Sequence, residues 1–401
     1  MSELEITEYG SFPSTWQRLT LADISEKITD GSHQSPRPQP EGKFMCSVKD
    51  MMYDRFDLSG SKLISADDFE MLVKQGCQPK NGDILISKDG ANCLDLIFVF
   101  NQEEELVLLS SIAIVRLLPE HIPEYVKYFL LSPDCQYVMR NNYVSGSAIP
   151  RVVLKDFKKV PILVPPLEEQ AAIASILGSF DDKINLLQRQ NKTLEEISEI
   201  LFRQRFLEGA NDNFEERSLS GIARFLNGLA CQKYPAENDL EKLPVLKIRE
   251  LSNGISENSD WATNQVSPDY IVEAGDVIFA WSASLMVKVW DGERCVLNQH
   301  LFKVTSDEFP KWFYLLWCKH HLAEFISISS SHATTMGHIK RGDLDAAMVL
   351  VPTPEELEMM SKQMEPLLDK QIANAKQIKS LEKLRDILLP KLMSGEVRVS
   401  Y

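Results

Sequence analysis

The chain has 401 residues, more than one ordinary core accommodates, so two domains with connectors are expected. Hydrophobic residues make up 44% and charged residues 25%, the balance of a globular protein, and apolar runs such as 94–100 fall far short of a bilayer span. The formal charge of −15 counts against a stand-alone DNA binder but not against a local basic patch or a subunit with basic partners. The acidic N-terminus, MSELEITEYG, lacks the apolar stretch of a secretory signal. The seven cysteines, with no CxxC among them, read as reduced thiols of a cytoplasmic protein.

In chain order the first piece, 1–165, is β-rich. Short β-prone runs at 83–87, 96–100 and 112–116 are bounded by Gly, Asp, Asn and Pro, with a helical stretch at 124–131. Then Pro165-Pro166-Leu167-Glu168-Glu169 gives a helix start, with proline near the first turn and carboxylates at the positive end of the dipole. A long helical piece, 166–208, follows. A second β-rich piece, 209–352, has runs at 277–281, 287–290 and 300–304 and a helix at 311–325. Pro352-Thr353-Pro354-Glu355-Glu356 then opens a second helical piece, 353–396, which Pro390 and Gly395 close.

These four pieces are one pattern used twice. Residues 146–208 lie over 333–395 without a gap, at a constant offset of 187 as Gly146 falls on Ala333. Leu163-Val164-Pro165 meets Leu350-Val351-Pro352, Glu168-Glu169 meets Glu355-Glu356, and Asp182-Lys183 meets Asp369-Lys370. Upstream the repeat continues with indels: Gly82-Asp83-Ile84 against Gly275-Asp276-Val277, Val48-Lys49-Asp50 against Ile248-Arg249-Glu250, and Leu109-Ser110-Ser111 against Leu297-Asn298-Gln299.

Each helix spans about 35–40 residues, or roughly 55–60 Å at the usual rise. The first has an apolar seam of Leu177, Ile184, Asn191 and Ser198 alternating with Phe180, Leu187, Leu194 and Leu201. So long a stripe cannot be buried alone: either the two helices pack on each other, which their length favours, or each packs on its own domain as core. Asn191 either sets register there or is a tolerated polar residue.

Catalytic signatures are missing. There is no phosphate-binding glycine loop, no HExxH, no GxSxG, and no Asn/Asp-Pro-Pro-aromatic motif of an amino-methyltransferase. His320-His321 reads as a helix surface, and His300, His332 and His338 have no partner at metal-ligand spacing. Binding is favoured over catalysis, with no metal and no cofactor of its own.

A β-rich domain, a Gly-Asp-aliphatic strand, a strand ending in Val-Pro with Pro-Leu-Glu-Glu-Gln, and a long helix, all repeated once, resemble the specificity subunits of type I restriction-modification enzymes. Asp30-Gly31-Ser32-His33 resembles the family's first-domain loop, while Leu357 departs from the Gln that matches Gln170. The resemblance implies an α+β architecture with two target recognition domains. Each reads half of a split double-stranded DNA sequence, and an antiparallel helix pair spaces them. It further implies a non-catalytic subunit. The partners it implies are two methyltransferase subunits that carry S-adenosylmethionine and two motor-nuclease subunits that work with ATP and Mg²⁺, with no membrane. Two other readings stay open on the residues alone: a self-contained nuclease or methyltransferase, and a coiled-coil adaptor that does not touch DNA.

Candidate DNA contacts are loop residues suited to base edges and phosphates. In the first half these are Thr29, Gly31, Ser32, His33, Gln34, Lys49, Ser87, Lys88, Gly146 and Ser147. In the second they are Gln232, Lys233, Tyr234, Lys247, Arg249, Trp281, Ser282, Ser284, Asn298, Gln299, His300, Thr334, Thr335, His338 and Lys340.

Overall fold

Gly82 and Gly275 take positive φ values of 87° and 105°, where a side chain is strained. The aspartate after each accepts a backbone N–H from three residues earlier: Lys80 to Asp83 at 2.7 Å and Glu273 to Asp276 at 2.9 Å. A cation from the neighbouring strand neutralises each carboxylate. Arg116 forks onto Asp83 at 2.8 and 2.7 Å, and Lys303 reaches Asp276 at 2.8 Å. The repeated Gly-Asp is thus a charged turn that launches the fully buried strands Ile84–Ser87 and Val277–Ala280.

The structure, a computed structural model, describes residues 4–7, 10–146, 148–209, 213–331 and 337–399. It divides into two compact units, Met1–Asp182 with Lys383–Tyr401, and Lys183–Glu382. In the first unit, an antiparallel four-stranded sheet has the order Ser25–Asp30, Ile112–Leu117, Ile84–Ser87, Ile97–Val99. In the second, Arg224–Asn227, Leu301–Thr305, Val277–Ala280 and Met286–Val289 repeat that order. Each unit also has a sheet with one parallel pair: Lys43–Cys46 beside Leu106–Leu108, and Lys242–Leu246 beside Cys295–Leu297. A further antiparallel pair precedes each long helix: Gln17–Thr20 with Pro161–Val164, and Glu215–Ser218 with Met348–Val351.

The parallel pairs correct the alignment by one residue. Leu108 ends its strand against Cys46 as Leu297 does against Leu246, so Leu108, not Leu109, corresponds to Leu297.

The long helices run Leu167–Phe202 and Pro354–Met393. The second continues three residues past Pro390, so that proline does not end it. Their contacts run antiparallel. In the second unit Ile184 and Leu187 pack on Ile378 and Leu381. Farther along the first helix, Asn374 Nδ2 donates to Asn191 Oδ1 at 2.9 Å, and Asn191 Nδ2 donates to the Gln371 carbonyl at 3.2 Å. Asn191 is therefore a paired polar layer. In the first unit the seam passes over Asp181 and not Phe180. Asp181 accepts from Tyr128 at 2.6 Å and from Arg385 at 2.9 Å, with Lys127 at 3.3 Å. Burial, and then the Asp181 charge, push the Tyr128 phenol far up, which keeps its proton as the donor.

The far ends of the helices follow the repeat. Phe202 and Phe206 enter the core of the second unit beside Trp317, and Leu389 and Met393, their counterparts at the same offset, enter the core of the first. The helix entrances differ. Buried Glu169 takes Arg398 at 2.6 Å and the Trp16 indole at 3.0 Å, while Gln170 bonds the Ile122 N–H and the Pro165 carbonyl. In the second copy Glu356 and Thr353 cap each other, and Leu357 packs on the core.

Candidate nucleic-acid interface

Strand order decides which loops meet. Strands of the parallel pair leave their sheet at the same end, so in the first unit the loop with Lys49 emerges beside Ser110-Ser111. Asp30 faces Ala113 and Ser87 faces Ile112, which brings the 30–34 and 87–90 loops to that end too. A bridge from Asp89 to Arg151 adds the segment that follows Gly146. In the second unit the same logic gathers Asn227, Lys247, Trp281, Ser282 and Asn298–His300; bridges join Leu229 to Asn298 and Ser282 to His338. Each unit thus presents one polar edge.

Several candidates build that edge instead of presenting themselves on it. A Cβ at Gly31 would overlap the Leu108 carbonyl, and one at Gly228 would overlap the Asn298 carbonyl, so both close approaches need glycine. Ser32 is buried and bonds within its own turn, accepting from Gln34 N–H at 3.0 Å. Ser87 is buried and donates to the Asn92 carbonyl. Lys88 is only 2% exposed, with Asp89 at 3.0 Å and Asp30 at 3.4 Å, and Arg151 stands 3.5 Å from Asp89. A DNA contact by Lys88 would have to break its ion pairs and bring it out of burial. Gly146 has φ of 91° beside the Ile149 carbonyl. Thr29 lies inside its strand, partly buried; His33 and Gln34 are exposed, and His33 lies 3.5 Å from Asp30. Lys49 is exposed with no ion pair among the described residues.

In the second unit Ser282 is buried, its hydroxyl 3.2 Å from His300 Nδ1, and Asn298 is buried. Gln299 Nε2 lies 3.3 Å from His300 Nε2. Lys247 pairs with Asp260. Arg249 forks onto the fully buried Glu250 at 2.9 and 2.7 Å and donates to the Asn258 carbonyl, so it anchors that carboxylate. Trp281 stacks on Phe302 and donates to Asn227 Oδ1 at 3.1 Å. Ser284 is exposed, as are Gln232, Lys233 and Tyr234 in their short turn. Lys340 is exposed; its backbone N–H bonds Asp343 at 2.6 Å. Ser147, Thr334, Thr335 and His332 lie outside the described residues.

Sequence reading missed Asn227, Phe302, Arg151 and Arg341. Asn227-Gly228 repeats Asp30-Gly31, a signal that aligning the two glycines would have exposed. His321 is a correction: it is buried, bonds the Met348 carbonyl through Nε2 at 2.9 Å and stacks on Trp317, so it is core and not helix surface. A carbonyl only accepts, so Nε2 carries the proton. No cluster of His, Cys, Asp and Glu suited to a metal occurs among the described residues. All seven cysteines are free and buried, and burial drives the Cys46 thiol up to about 12. Among the described residues no helix is long and apolar enough to cross a membrane.

Two β-rich units of like topology, each with one loop edge, and a pair of antiparallel helices define a duplicated binding protein. The sequence model for the type I restriction modification DNA specificity domain matches it twice, at 13–196 and 211–383, and the chain belongs to that family. It is similar to the type I restriction enzyme MjaIX specificity subunit of Methanocaldococcus jannaschii, 27% identical over 303 residues, covering 69% of this chain and 70% of that one. Similarity to the HindI specificity subunit of Haemophilus influenzae is 19% over 468 residues, covering 96% and 100%. A crystal structure of the type I restriction-modification S subunit from M. genitalium shares the fold, with a TM-score of 0.56 at 16% identity over 94% of this chain and 96% of that one. DNA sequence specificity is the function of the family and of this chain; neither the self-contained enzyme nor the adaptor draws support from these relatives.

Proposed function

We propose that each unit reads one half of a split double-stranded DNA target with its polar edge, and that the chain itself catalyses nothing. The β-rich pieces 1–165 and 209–352 do the reading, and the helical pieces 166–208 and 353–396 dock the partners. Those partners are two methyltransferase subunits, which bring S-adenosylmethionine, and two motor-nuclease subunits, which bring ATP and Mg²⁺, in the cytoplasm. One observation carries the reading. The same backbone edge occurs twice, held by Gly31 and by Gly228, but with unlike side chains on it. Two copies of one frame with different contents suit two different half-sites. The charge of −15 is met locally, because Lys49, Lys233, Lys340 and Arg341 are exposed and carry no ion pair among the described residues.

The test is methylation of a randomised DNA library by the chain co-expressed with its methyltransferase partner. Two separated blocks of base preference are expected, and no methyl transfer by the purified chain alone with labelled S-adenosylmethionine and Mg²⁺. One contiguous block, or turnover that co-purifies with the lone chain, would overturn the proposal.

A further inference from the structure

The edge of the second unit carries something the first lacks. Trp281, half-buried just past its strand, stacks on Phe302 with ring centres 5.6 Å apart and planes 25° from parallel. Phe225 lies 5.8 Å from Phe302, and His338 meets Trp281 edge-on at 6.2 Å. These rings floor an open trench of about 1050 Å³. Lys340 and Arg341 stand on its wall, exposed and without an ion pair among the described residues. Asp307 and Glu308 also line it, and Arg217 holds Glu308 at 2.8 Å. At the position of Trp281 the first unit has the buried, ion-paired Lys88.

The indole N–H of Trp281 is spent on Asn227, so the ring has only apolar surface left to offer a ligand. Along the major groove of duplex DNA the thymine C5-methyl is the apolar group at a base edge. Cations on the trench wall suit the flanking phosphates. We propose that Trp281 is a specificity-determining residue of the second half-site, reading a thymine by contact of its indole with the C5-methyl, and that Asn227 is a positioning residue that fixes the ring. The inference rests on the reading that the second unit binds one half-site.

The experiment uses the assembled methyltransferase and duplexes in which each thymine of either half-site is replaced in turn by uracil, which removes only the methyl. Wild type is expected to favour thymine over uracil about fourfold at one position of the second half-site, the worth of one buried methyl-sized group. Trp281→Ala should abolish that ratio and leave the first half-site unchanged. Asn227→Ala should reduce the ratio without lowering the melting temperature as far as a core change does. Indifference of wild type to uracil throughout the second half-site would overturn the proposal even if the variants failed to fold. So would a Trp281→Ala complex that still prefers thymine at that position. A wild-type library without a second half-site would instead bring down the underlying reading.

Discussion

The edges of the two units share a frame and differ in what fills it. Asp30-Gly31 and Asn227-Gly228 leave equivalent strands, and each glycine lies against a carbonyl with no room for a Cβ. Behind the frame the first unit runs a chain of charge, from Asp30 through buried Lys88, then Asp89, out to exposed Arg151. The second puts an indole on an amide in the same place, Trp281 on Asn227. Backbone geometry is common to both copies, and side-chain chemistry is free to differ on it. The helices show the same split. The apolar contact of Leu187 with Ile378 and the amide pair of Asn374 with Asn191 fall on the same two repeat positions, exchanged between copies.

The largest effect should fall on the shared helical frame. Leu187→Asp puts a carboxylate into an apolar seam and should cost about 4 kcal/mol in chemical denaturation. Leu194→Asp, only partly buried, should cost about 1 kcal/mol. Equal losses would contradict this placement of the seam.

Next come the Gly-Asp turns, alike in motif but unlike in burial. Asp83 is 1% exposed under a forked arginine, and Asp276 is 25% exposed beside a lysine. Asp83→Ala should destabilise by about 3 kcal/mol, because it strands a partly buried guanidinium, and Asp276→Ala by about 1 kcal/mol. A reversed order would show that the frame is not held the same way in both units.

Lys88→Met should cost about 2 kcal/mol by removing the buried cation shared by Asp30 and Asp89, yet should not change the salt slope of DNA binding, since a buried lysine releases no counterion. Lys340→Ala and Arg341→Ala should each lower that slope by nearly one unit and leave stability within about 0.5 kcal/mol. Titrations at several salt concentrations separate the two behaviours; a drop in slope for Lys88→Met would make it a phosphate contact after all.

A small net effect is expected when the amide layer is replaced as a pair. Replacing Asn191 and Asn374 together by Leu should change stability by less than about 1 kcal/mol, while Asn374→Ala alone, which leaves half-buried Asn191 short of a donor, should cost about 1–2 kcal/mol. Melting curves of the single and double variants test this. A double variant less stable than either single one would mean that the pair contributes more than its desolvation removes.

Sequence alone determined the parts of this protein that are local or periodic. The fixed offset exposed the duplication, the seam exposed two long helices, and Gly-Asp and Pro-Glu-Glu marked a strand start and a helix start, because turns, caps and helical stripes are written in neighbouring residues. The strands fell within a residue or two of their β-prone runs for the same reason. Only tertiary structure decided which polar side chains are spent. Lys88 looks like a free cation in a loop, and Asp30, far away in the sequence, holds it. Asp181 looks like a surface carboxylate and becomes the polar centre of a helix contact once Arg385 arrives from the far end of the chain. The gathering of loops onto one edge depends on strand order and on parallel pairing, which bring together residues far apart in sequence. Burial of a polar group is settled by whether such a distant partner compensates its lost hydration, and no window of neighbouring residues contains that partner.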